Sequence, residues 1–358
     1  MQDTPLACPY AGQVPLILEA ADLEALGVGF ALLGAGGGGS PHVAALILRE
    51  SASWPITINA VDELDPETPC VAISYVGSTL LLEERLPDEE PFAAAIAAVE
   101  RWLGVSSSAV CTVEAAGLNG LAALQLAGSR DVVDADCMGR ALPDLDQISL
   151  IVDRLPGLVT AVPTGSGGVA LVHDARPDDV ETVLRSAISC NGGWAGLAIG
   201  GFSVGDLKEH AILGNLGRAF GLGVSLLASV DAAPADLAHA VQGRLLGVGR
   251  VAAARTEPHA PGVMSYDIRN DDGDVLRLLG RTEFVAVVRN GIVVASTPTI
   301  IVALDAITRR PLEVDEVGAG KDLVLLGLPA PEWWSADPVR LSRAQPGRWG
   351  LTHLEETG

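Results

Sequence analysis

The sequence predicts an α/β protein of two domains, a mostly parallel α/β domain followed by a β-rich, antiparallel domain with helices. Its 358 residues exceed the usual length of one domain. Short apolar runs alternate with helical segments in the first half, which is typical of a parallel sheet. In the second half, similar runs are separated by turn residues of the hairpin type. We place the α/β domain at 1–165, the second domain at 166–345 and a loose tail at 346–358.

Two helices flanking a glycine-rich loop are predicted near the start of the chain. Asp22 is a suitable N-cap for a helix that carries Leu23 and Phe30, and Ser40 followed by Pro41 is a suitable start for the next helix. The apolar runs that follow predict βαβ units. The expected strands are 56–61, 70–76, 109–113, 131–135, 148–152 and 158–162, and the expected helices are 92–103 and 117–127.

The polar, glycine-rich segment 164–168 marks the predicted boundary between the two domains. After it, helices are expected at 177–189, 205–222 and 234–245. Asp271-Asp272-Gly273 and Asn290-Gly291 are strong hairpin turns within the β-rich part. The expected strands of that part are 248–253, 263–268, 275–279, 283–288, 292–295, 302–305 and 323–326.

Composition limits the classes of partner. The formal net charge of −22 leaves no basic surface for nucleic acid or for an anionic membrane. Apolar residues make up 49% of the chain, but no window is long enough to span a bilayer and no signal peptide is evident. The five cysteines are scattered, without the spacing of a zinc site or a disulfide framework. We therefore expect a cytoplasmic protein with a small-molecule substrate.

The glycine run is the first candidate for a binding site. Glycine in ordered structure costs roughly 0.5–1 kcal/mol relative to alanine, so a run of four needs a reason. Either the backbone there adopts positive φ or approaches a neighbour closely, or it presents bare N–H groups to an anion ahead of a helix. The alternative is a mobile linker. His42 could face a bound ligand or solvent. The candidate substrate-binding residues of this segment are Gly36, Gly37, Gly38, Gly39, Ser40 and His42.

The same loop also satisfies a dinucleotide-binding pattern. Gly34, Gly36 and Gly39 fit G-x-G-x-x-G, and Asp62 stands where an acid that binds ribose would be expected. The pattern requires a buried strand before the loop, whereas residues 22–33 have helical spacing. A nicotinamide-dependent oxidoreductase is therefore a less favoured alternative.

Two aspartates form the second candidate site. In a strand, Asp134 and Asp136 point to the same face, and two such charges suit a general base or a pair of metal ligands. Arg140 could orient them or hold a substrate carbonyl. Alternatively, Asp136 caps the turn at Met138 and pairs with Arg140. Both interpretations remain open for each aspartate.

Further polar residues follow other predicted strands. Glu114 and Asn119 come after the strand at 109–113, and ligands of open α/β sheets bind beyond the carboxyl ends of strands. Ser74 and Tyr75 lie at a similar end. Cys137 stands beside two acids that should raise the pKa of its thiol, so a packing role is favoured over a nucleophilic one.

Three motifs together resemble one family. They are Leu33-Gly34-Ala35-Gly36-Gly37-Gly38-Gly39-Ser40-Pro41, Val113-Glu114-Ala115-Ala116-Gly117-Leu118-Asn119 and Val133-Asp134-Ala135-Asp136-Cys137-Met138-Gly139-Arg140-Ala141-Leu142-Pro143-Asp144. The chain resembles the S-methyl-thiohydantoin desulfurase family from about Leu18 to Trp334. The second domain continues the resemblance with Glu283, Asn290-Gly291, Thr297-Pro298 and Leu304-Asp305.

The resemblance implies an N-terminal α/β domain, a β-rich C-terminal domain and hydrolytic loss of sulfur from a five-membered thiohydantoin ring. It also implies a binding role for Glu283. The sequence departs from the family at Cys137, which replaces a small residue or proline, at Thr299, which replaces an acid, and at Ser40, which replaces an aspartate. These departures leave open an altered substrate or a lost activity.

The leading hypothesis is a hydrolase in which Asp136 or Asp134 activates water and Glu114 assists as acid or base. The N–H groups of Gly36–Gly39 would stabilise negative charge or bind a carboxylate, and Asn119 and Arg140 would hold ring carbonyl or amide groups. No cofactor is predicted, although the carboxylates could hold a divalent metal. A non-catalytic binding protein is the alternative of another class. Apolar helices and an antiparallel domain are compatible with a homo-oligomer.

Overall fold

The computed structural model describes residues 15–78, 81, 90–190, 192–270 and 273–355. Within these ranges the chain forms a sheet of nine strands and a sheet of seven strands. The predicted two-domain architecture, with an α/β part followed by an antiparallel part, is confirmed. No helix in the described part of the chain combines the length and the apolar character that a membrane span needs.

The first sheet is parallel only at its centre. Its order is β1-β2-β5-β4-β3-β8-β6-β7, with β9 paired to β5. The pairs β2/β5, β5/β4 and β4/β3 are parallel and the others are antiparallel. The strands are β1 (Leu16–Leu18), β2 (Ile56–Asn59), β3 (Pro69–Gly77), β4 (Ala109–Thr112), β5 (Asp131–Asp136), β6 (Val159–Pro163), β7 (Val169–His173), β8 (Trp194–Ser203) and β9 (Ile212–Leu213).

Several predicted elements of this half differ from the structure. The run 148–152 is a helical turn (α4, Ser149–Val152), because a short apolar run does not distinguish a strand from a buried helix. The segment 205–222 contains two helices separated by β9. Strands β1, β7, β8 and β9 were not predicted from the sequence. Residues 164–168 form the turn between the paired strands β6 and β7, so the first sheet continues past the predicted boundary at 165.

The other predicted helices are present, except that 117–127 forms two 3-10 turns and that 234–245 is helical only to Ala240, since a strand begins at Arg244. They are α1 (Leu23–Leu33), α2 (His42–Ser51), α3 (Ala93–Leu103), α5 (Pro177–Cys190), α6 (Leu207–His210), α7 (Asn215–Ala228) and α8 (Pro234–Ala240), and 3-10 turns occupy Gly117–Leu121 and Ala123–Leu126. The helix α1 begins after Asp22 as expected, although the Asp22 carboxylate accepts a hydrogen bond from the N–H of Glu19 instead of capping α1.

The second sheet is antiparallel throughout, in the order β14-β13-β12-β11-β10-β16-β15. Asn290 and Gly291, both at positive φ, connect β13 and β14 as predicted. Of the other predicted turn, Asp271-Asp272 lies outside the described residues. The strands are β10 (Arg244–Thr256), β11 (Met264–Arg269), β12 (Val275–Gly280), β13 (Phe284–Arg289), β14 (Ile292–Ser296), β15 (Ile300–Asp305) and β16 (Asp322–Leu328).

Helices α1 and α7 join the two sheets. Their backbones cross closely, since a Cβ added to Gly29 would lie 1.7 Å from the carbonyl oxygen of Ala219 and one added to Gly223 would lie 1.7 Å from that of Ala25. The core that contains both helices also includes apolar residues of β15 and β16. This packing fixes the end of α1, and with it the start of the glycine-rich loop.

The C-terminal segment returns to the first domain. Trp334, in α9 (Glu332–Ser335), is fully buried and its indole N–H donates to the carbonyl oxygen of Met138 at 2.8 Å. Arg340, in α10 (Pro338–Ala344), binds Asp153 with two nitrogens. A loose tail was predicted from residue 346, but 3-10 turns follow at Pro346–Trp349 and Thr352–Leu354, and Leu351 and Leu354 are buried in an apolar cluster. The described residues of this segment are therefore packed.

Candidate functional site

A cavity of about 570 Å³ lies between the two sheets, at the edge where the parallel strands β3 and β4 end. We call it the central cavity. Ligands of α/β sheets bind at this edge, as the sequence predicts. Its walls come from the glycine-rich loop, from the ends of β3 and β4, from the start of β8, and from turns of the second sheet. Its polar lining is Ser74, Tyr75, Ser78, Glu114, Asn119, Arg185, Trp194, Tyr266, Arg281, Thr282, Glu283, Glu313 and Asp315.

The glycine-rich loop is wedged between two carboxylates. A Cβ added to Gly37 would lie 2.7 Å from Glu283 Oε1, and one added to Gly38 would lie 3.1 Å from Glu114 Oε1. Gly36 and Gly38 also adopt φ values of +83° and +82°, which residues other than glycine rarely adopt. Close approach and positive φ, the first of the two reasons considered, therefore account for the run.

The loop is also bonded to both sheets. The carbonyl oxygen of Ala35 accepts from the N–H of Phe284 at 2.7 Å, and that of Gly36 accepts from the N–H of Val314 at 2.9 Å. On the other side, the N–H of Leu118 donates to the carbonyl oxygen of Gly38. These bonds hold the loop in place and argue against a mobile linker.

Glu114 is held just beyond the end of β4. The Thr112 hydroxyl donates to the carbonyl oxygen of Asn119 at 2.7 Å, and the Glu114 N–H lies 3.3 Å from the same hydroxyl. Glu114 Oε1 is buried and has no hydrogen-bond partner among the described residues. Burial, and secondarily the negative charge of Glu283, raise the pKa of Glu114 well above its usual value. Burial therefore favours the protonated, neutral form of Glu114.

Glu283 reaches the same cavity from the second sheet, in the turn between β12 and β13. Its Oε2 accepts from the Thr282 hydroxyl at 2.7 Å. Burial raises the pKa of Glu283 to about 7, while the Thr282 hydroxyl and the Arg140 charge act in the opposite direction. Glu283 can therefore take up or release a proton near neutral pH.

Arg140 lies behind the carboxylates and outside the cavity lining. It is fully buried, its Nε donates to the carbonyl oxygen of Ala141, and its Nη1 donates to those of Pro298 and Thr299. Burial lowers the pKa of Arg140 to about 10, and the charges of Glu283 and Glu114 oppose that effect. Arg140 thus connects the two sheets and supplies positive charge near both acids.

Asn119 positions the end of β3. Its side-chain amide accepts from the N–H of Tyr75 at 2.8 Å and donates to the carbonyl oxygen of Tyr75 at 3.1 Å. The Tyr75 ring then packs against Phe92 and Trp194. Asn119 lines the cavity with its amide bonded to the backbone of Tyr75, and its hydrogen bond with Glu114 acts to lower the pKa of that acid.

The structure does not bring Asp134 and Asp136 to the central cavity. Asp136 is fully buried and accepts from the N–H groups of Met138 and Gly139 and from the side chain of Asn215. Burial raises the pKa of Asp136 to about 6 against these hydrogen bonds. Asp136 therefore caps the turn at Met138, as the alternative interpretation predicted, although Arg140 donates to backbone carbonyl oxygens instead of pairing with it. The predicted role of general base does not fit this position.

Asp134 has a similar structural position. It accepts from the N–H groups of Leu216 and Gly217, in the first turn of α7, and so satisfies donors that have no partner within the helix. Cys137 is fully buried outside the cavity lining, and its position fits the packing role favoured by the sequence.

Ser40 and His42 line a second cavity of about 490 Å³ on the other side of the glycine-rich loop. Gly36 and Gly37 separate the two cavities and line both. His42 is exposed at the start of α2, and its N–H lies 3.4 Å from the Ser40 hydroxyl. These two predicted binding residues therefore do not meet Glu114 and Glu283.

Sequence reasoning missed many of the lining residues, among them Trp194, Tyr266 and Arg281. The other polar ones it missed are Ser78, Arg185, Thr282, Glu313 and Asp315. Burial raises the pKa of Tyr266 to about 12, and its hydroxyl donates to the carbonyl oxygen of Val314. Arg281 stacks over Trp349, with its guanidinium carbon 5.9 Å from the ring centroid. For the first three, the only available signal was that Arg281 lies two residues before Glu283, since the other two reach the cavity through long-range strand pairing.

The geometry also bears on the dinucleotide pattern and on metals. The glycine-rich loop follows α1 instead of a strand, and Asp62 forms an ion pair with Lys208. The structural context that the pattern requires is therefore missing. Within the described ranges, no group of three or more His, Cys, Asp or Glu side chains is placed to hold a metal ion.

The two sheets and the acidic cavity between them define a two-domain α/β protein with paired carboxylates at its domain junction. Residues 21–174 match the family model described as "S-Me-THD-like, N-terminal domain", and residues 175–357 match "S-Me-THD-like, C-terminal domain". The chain therefore belongs to the S-Me-THD-like family, which confirms the resemblance to S-methyl-thiohydantoin desulfurases. The family name suggests an enzyme of thiohydantoin metabolism.

A crystal structure of a protein from Chromobacterium violaceum has a similar fold, with a TM-score of 0.77 and 23% sequence identity. The similarity covers 96% of this chain and 99% of that chain. At this identity the comparison shows the fold alone. No curated protein matches the chain.

Proposed function

We propose that the protein is a hydrolase that removes a thiol or sulfide from a thiohydantoin-like ring, with water activated by Glu283. The observation that supports this most strongly is the convergence of Glu114 and Glu283. They follow strands of different sheets, line one cavity, and have pKa values that burial raises in both cases. Two carboxyl groups suit paired base and acid roles when one is ionised and the other is protonated.

The reaction begins with Glu283 ionised and Glu114 protonated. Glu283 takes a proton from water as the oxygen bonds to the ring carbon that carries sulfur. In the S-methyl form of the ring, the C=N double bond of this carbon becomes single as Glu114 gives its proton to that nitrogen, and a neutral tetrahedral intermediate results. The intermediate then forms a C=O bond and breaks its C–S bond. Its hydroxyl proton returns to Glu114, and the departing thiolate takes the proton held by Glu283, so both acids regain their starting states.

The surrounding residues support these steps. Since Arg140 is buried near both acids, its charge favours ionised Glu283 and limits the rise of that pKa. We assign the N–H groups of Gly36 and Gly38 to the negative charge that develops on the departing sulfur, because the Gly37 N–H already donates to the carbonyl oxygen of Gly34 and Gly39 lines only the second cavity. We also propose a small-molecule substrate and a cytoplasmic location.

The two alternative functions gain no support from the site. Thr299, whose departure from the family suggested a non-catalytic binder, contributes its backbone carbonyl to Arg140 and does not line the central cavity. For a nicotinamide-dependent oxidoreductase, a strand should precede the glycine-rich loop, whereas α1 precedes it in this protein.

Release of thiol from S-methyl-thiohydantoin, followed with a chromogenic thiol reagent, tests the proposal. We expect turnover by the native protein and a fall of about 100-fold or more in kcat/KM for Glu283→Gln and for Glu114→Gln. Asp62→Asn, which alters a surface ion pair, should retain native turnover. Absence of thiol release by the folded native protein, or undiminished turnover by Glu283→Gln, would refute the proposal.

A further inference from the structure

The central cavity contains a hydrogen-bond donor that the proposed mechanism does not use. Trp194 lines the cavity, and its indole Nε1 is buried without a hydrogen-bond partner among the described residues. A buried N–H with no acceptor costs about 1–3 kcal/mol. A ligand bound in the cavity would supply this acceptor.

The backbone holds Trp194 in a defined place. Trp194 begins β8 and pairs directly with Gly77 of β3. A Cβ on Gly77, whose φ is +117°, would lie 2.7 Å from the Cα of Trp194. The N–H of Ser78 also donates to the carbonyl oxygen of Gly193 at 2.8 Å. The indole therefore lies on a residue of two closely paired strands and not on a loop. A side chain held in this way is suited to position a bound ligand.

An aromatic wall surrounds this donor. The rings of Trp194 and Tyr75 have centroids 6.2 Å apart, and Tyr75 packs against Phe92 at 4.8 Å. The backbone of Tyr75 is fixed by Asn119. An indole N–H donates and cannot accept. This wall therefore suits a flat ring with an oxygen acceptor at its edge.

We propose that Trp194 binds the substrate ring by donating its indole N–H to the ring carbonyl that does not react. The inference rests on the proposed function, because that function places the reacting carbon between Glu114 and Glu283. The indole comes from a different strand, so it meets another part of the ring. For a thiohydantoin that reacts at C2, the acceptor is the carbonyl oxygen at C4.

The test measures binding without turnover. Hydantoin carries carbonyls at C2 and C4, whereas 2-imidazolidinone carries only the one at C2. Isothermal titration calorimetry would measure both rings on the native protein and on Trp194→Phe, which keeps an aromatic ring but removes the N–H. Trp333→Phe is the matched control, since its Nε1 is also buried without a described partner but lies outside the central cavity.

We expect Trp194→Phe to weaken hydantoin binding about 5-fold or more and to leave 2-imidazolidinone binding within about 2-fold. Trp333→Phe should leave both unchanged. In turnover, Trp194→Phe should raise KM and leave kcat nearly constant, as expected for a group that binds ground and transition states alike. Unchanged hydantoin binding by Trp194→Phe, or an equal loss for both rings, would overturn the inference.

The experiment separates this inference from the proposed reaction. Binding of hydantoin that depends on Trp194, without any thiol release, would refute the reaction and support the binding role. Thiol release by a protein whose hydantoin binding does not depend on Trp194 would support the reaction and refute the binding role. If Trp194→Phe does not fold, the native protein still decides, because equal affinity for hydantoin and 2-imidazolidinone would overturn the inference.

Discussion

Replacing Gly37 with alanine should damage both the stability and the activity of the protein. The new Cβ would lie 2.7 Å from the Cγ and Oε1 of Glu283 and 2.8 Å from the carbonyl oxygen of Thr282. Gly37 does not adopt positive φ, so the effect arises from crowding. Glu283 must withdraw by about 0.7 Å to reach an ordinary contact of 3.4 Å.

The magnitude follows from these contacts. Overpacking of this kind costs about 1–3 kcal/mol of unfolding free energy, and a catalytic group misplaced by about 1 Å can lose about 100-fold in rate. We therefore expect kcat/KM for thiol release to fall by about 10- to 100-fold in Gly37→Ala. Unfolding in denaturant would measure the stability, and the thiol assay would measure the activity.

Gly318→Ala is the matched control, because a Cβ there has no atom within 4 Å and the backbone φ is not positive. It should retain native stability and turnover. The reasoning is refuted if Gly37→Ala matches the native protein in both measurements, or if Gly318→Ala loses as much as Gly37→Ala.

Three further predictions concern the buried acids. Since ionised Glu283 is the base and its pKa is about 7, kcat/KM should rise with pH through about 7. The pH profile of Glu283→Gln should lack this rise. A rise that persists in the variant would contradict the role of Glu283 as the base. Asp136→Asn should lose about 1–3 kcal/mol of stability in denaturant, because an amide cannot accept at both positions, yet its folded fraction should keep turnover within a few-fold. Lost turnover at native stability would restore Asp136 as the base. Burial raises the pKa of Asp136 from 3.8 to about 6 and that of Glu283 from 4.5 to about 7. Between about pH 4 and 7 the folded state therefore binds more protons than the unfolded state, and the free energy of unfolding should fall as the pH rises. Melting temperatures at pH 5 and pH 8 would check this, with a flatter dependence in Glu283→Gln, and a melting temperature that rises with pH would contradict it.

The parts of the fold that depend on local pattern could be predicted from the sequence. Alternating apolar runs identified the parallel strands β2, β3, β4 and β5, and hairpin turns identified most of the second sheet. Strand β8 was missed because its Gly196, Gly200 and Gly201 lower strand propensity. Two of these glycines are required by neighbours, since a Cβ on Gly196 would lie 2.2 Å from the carbonyl oxygen of Pro91 and one on Gly200 would lie 2.5 Å from Val99. Such contacts are not visible in sequence.

The site was predictable in the same uneven way. The glycine-rich loop and Glu114 stand out locally, and Glu283 was found through family resemblance. Asp134 and Asp136 have the pattern of a catalytic pair, but tertiary structure gives them backbone donors to satisfy. The local sequence does not distinguish an aspartate that caps a turn from one that activates water. Only the position relative to the cavity separates them.

A crystal structure of the protein with bound hydantoin, the ring that the proposed reaction leaves, would test the central claim most directly. The claim predicts that the C2 carbon lies in the central cavity, with Glu114 and Glu283 both within reach of it and the glycine-rich loop alongside. Hydantoin bound in the second cavity beside His42, or with C2 turned away from both glutamates, would contradict it.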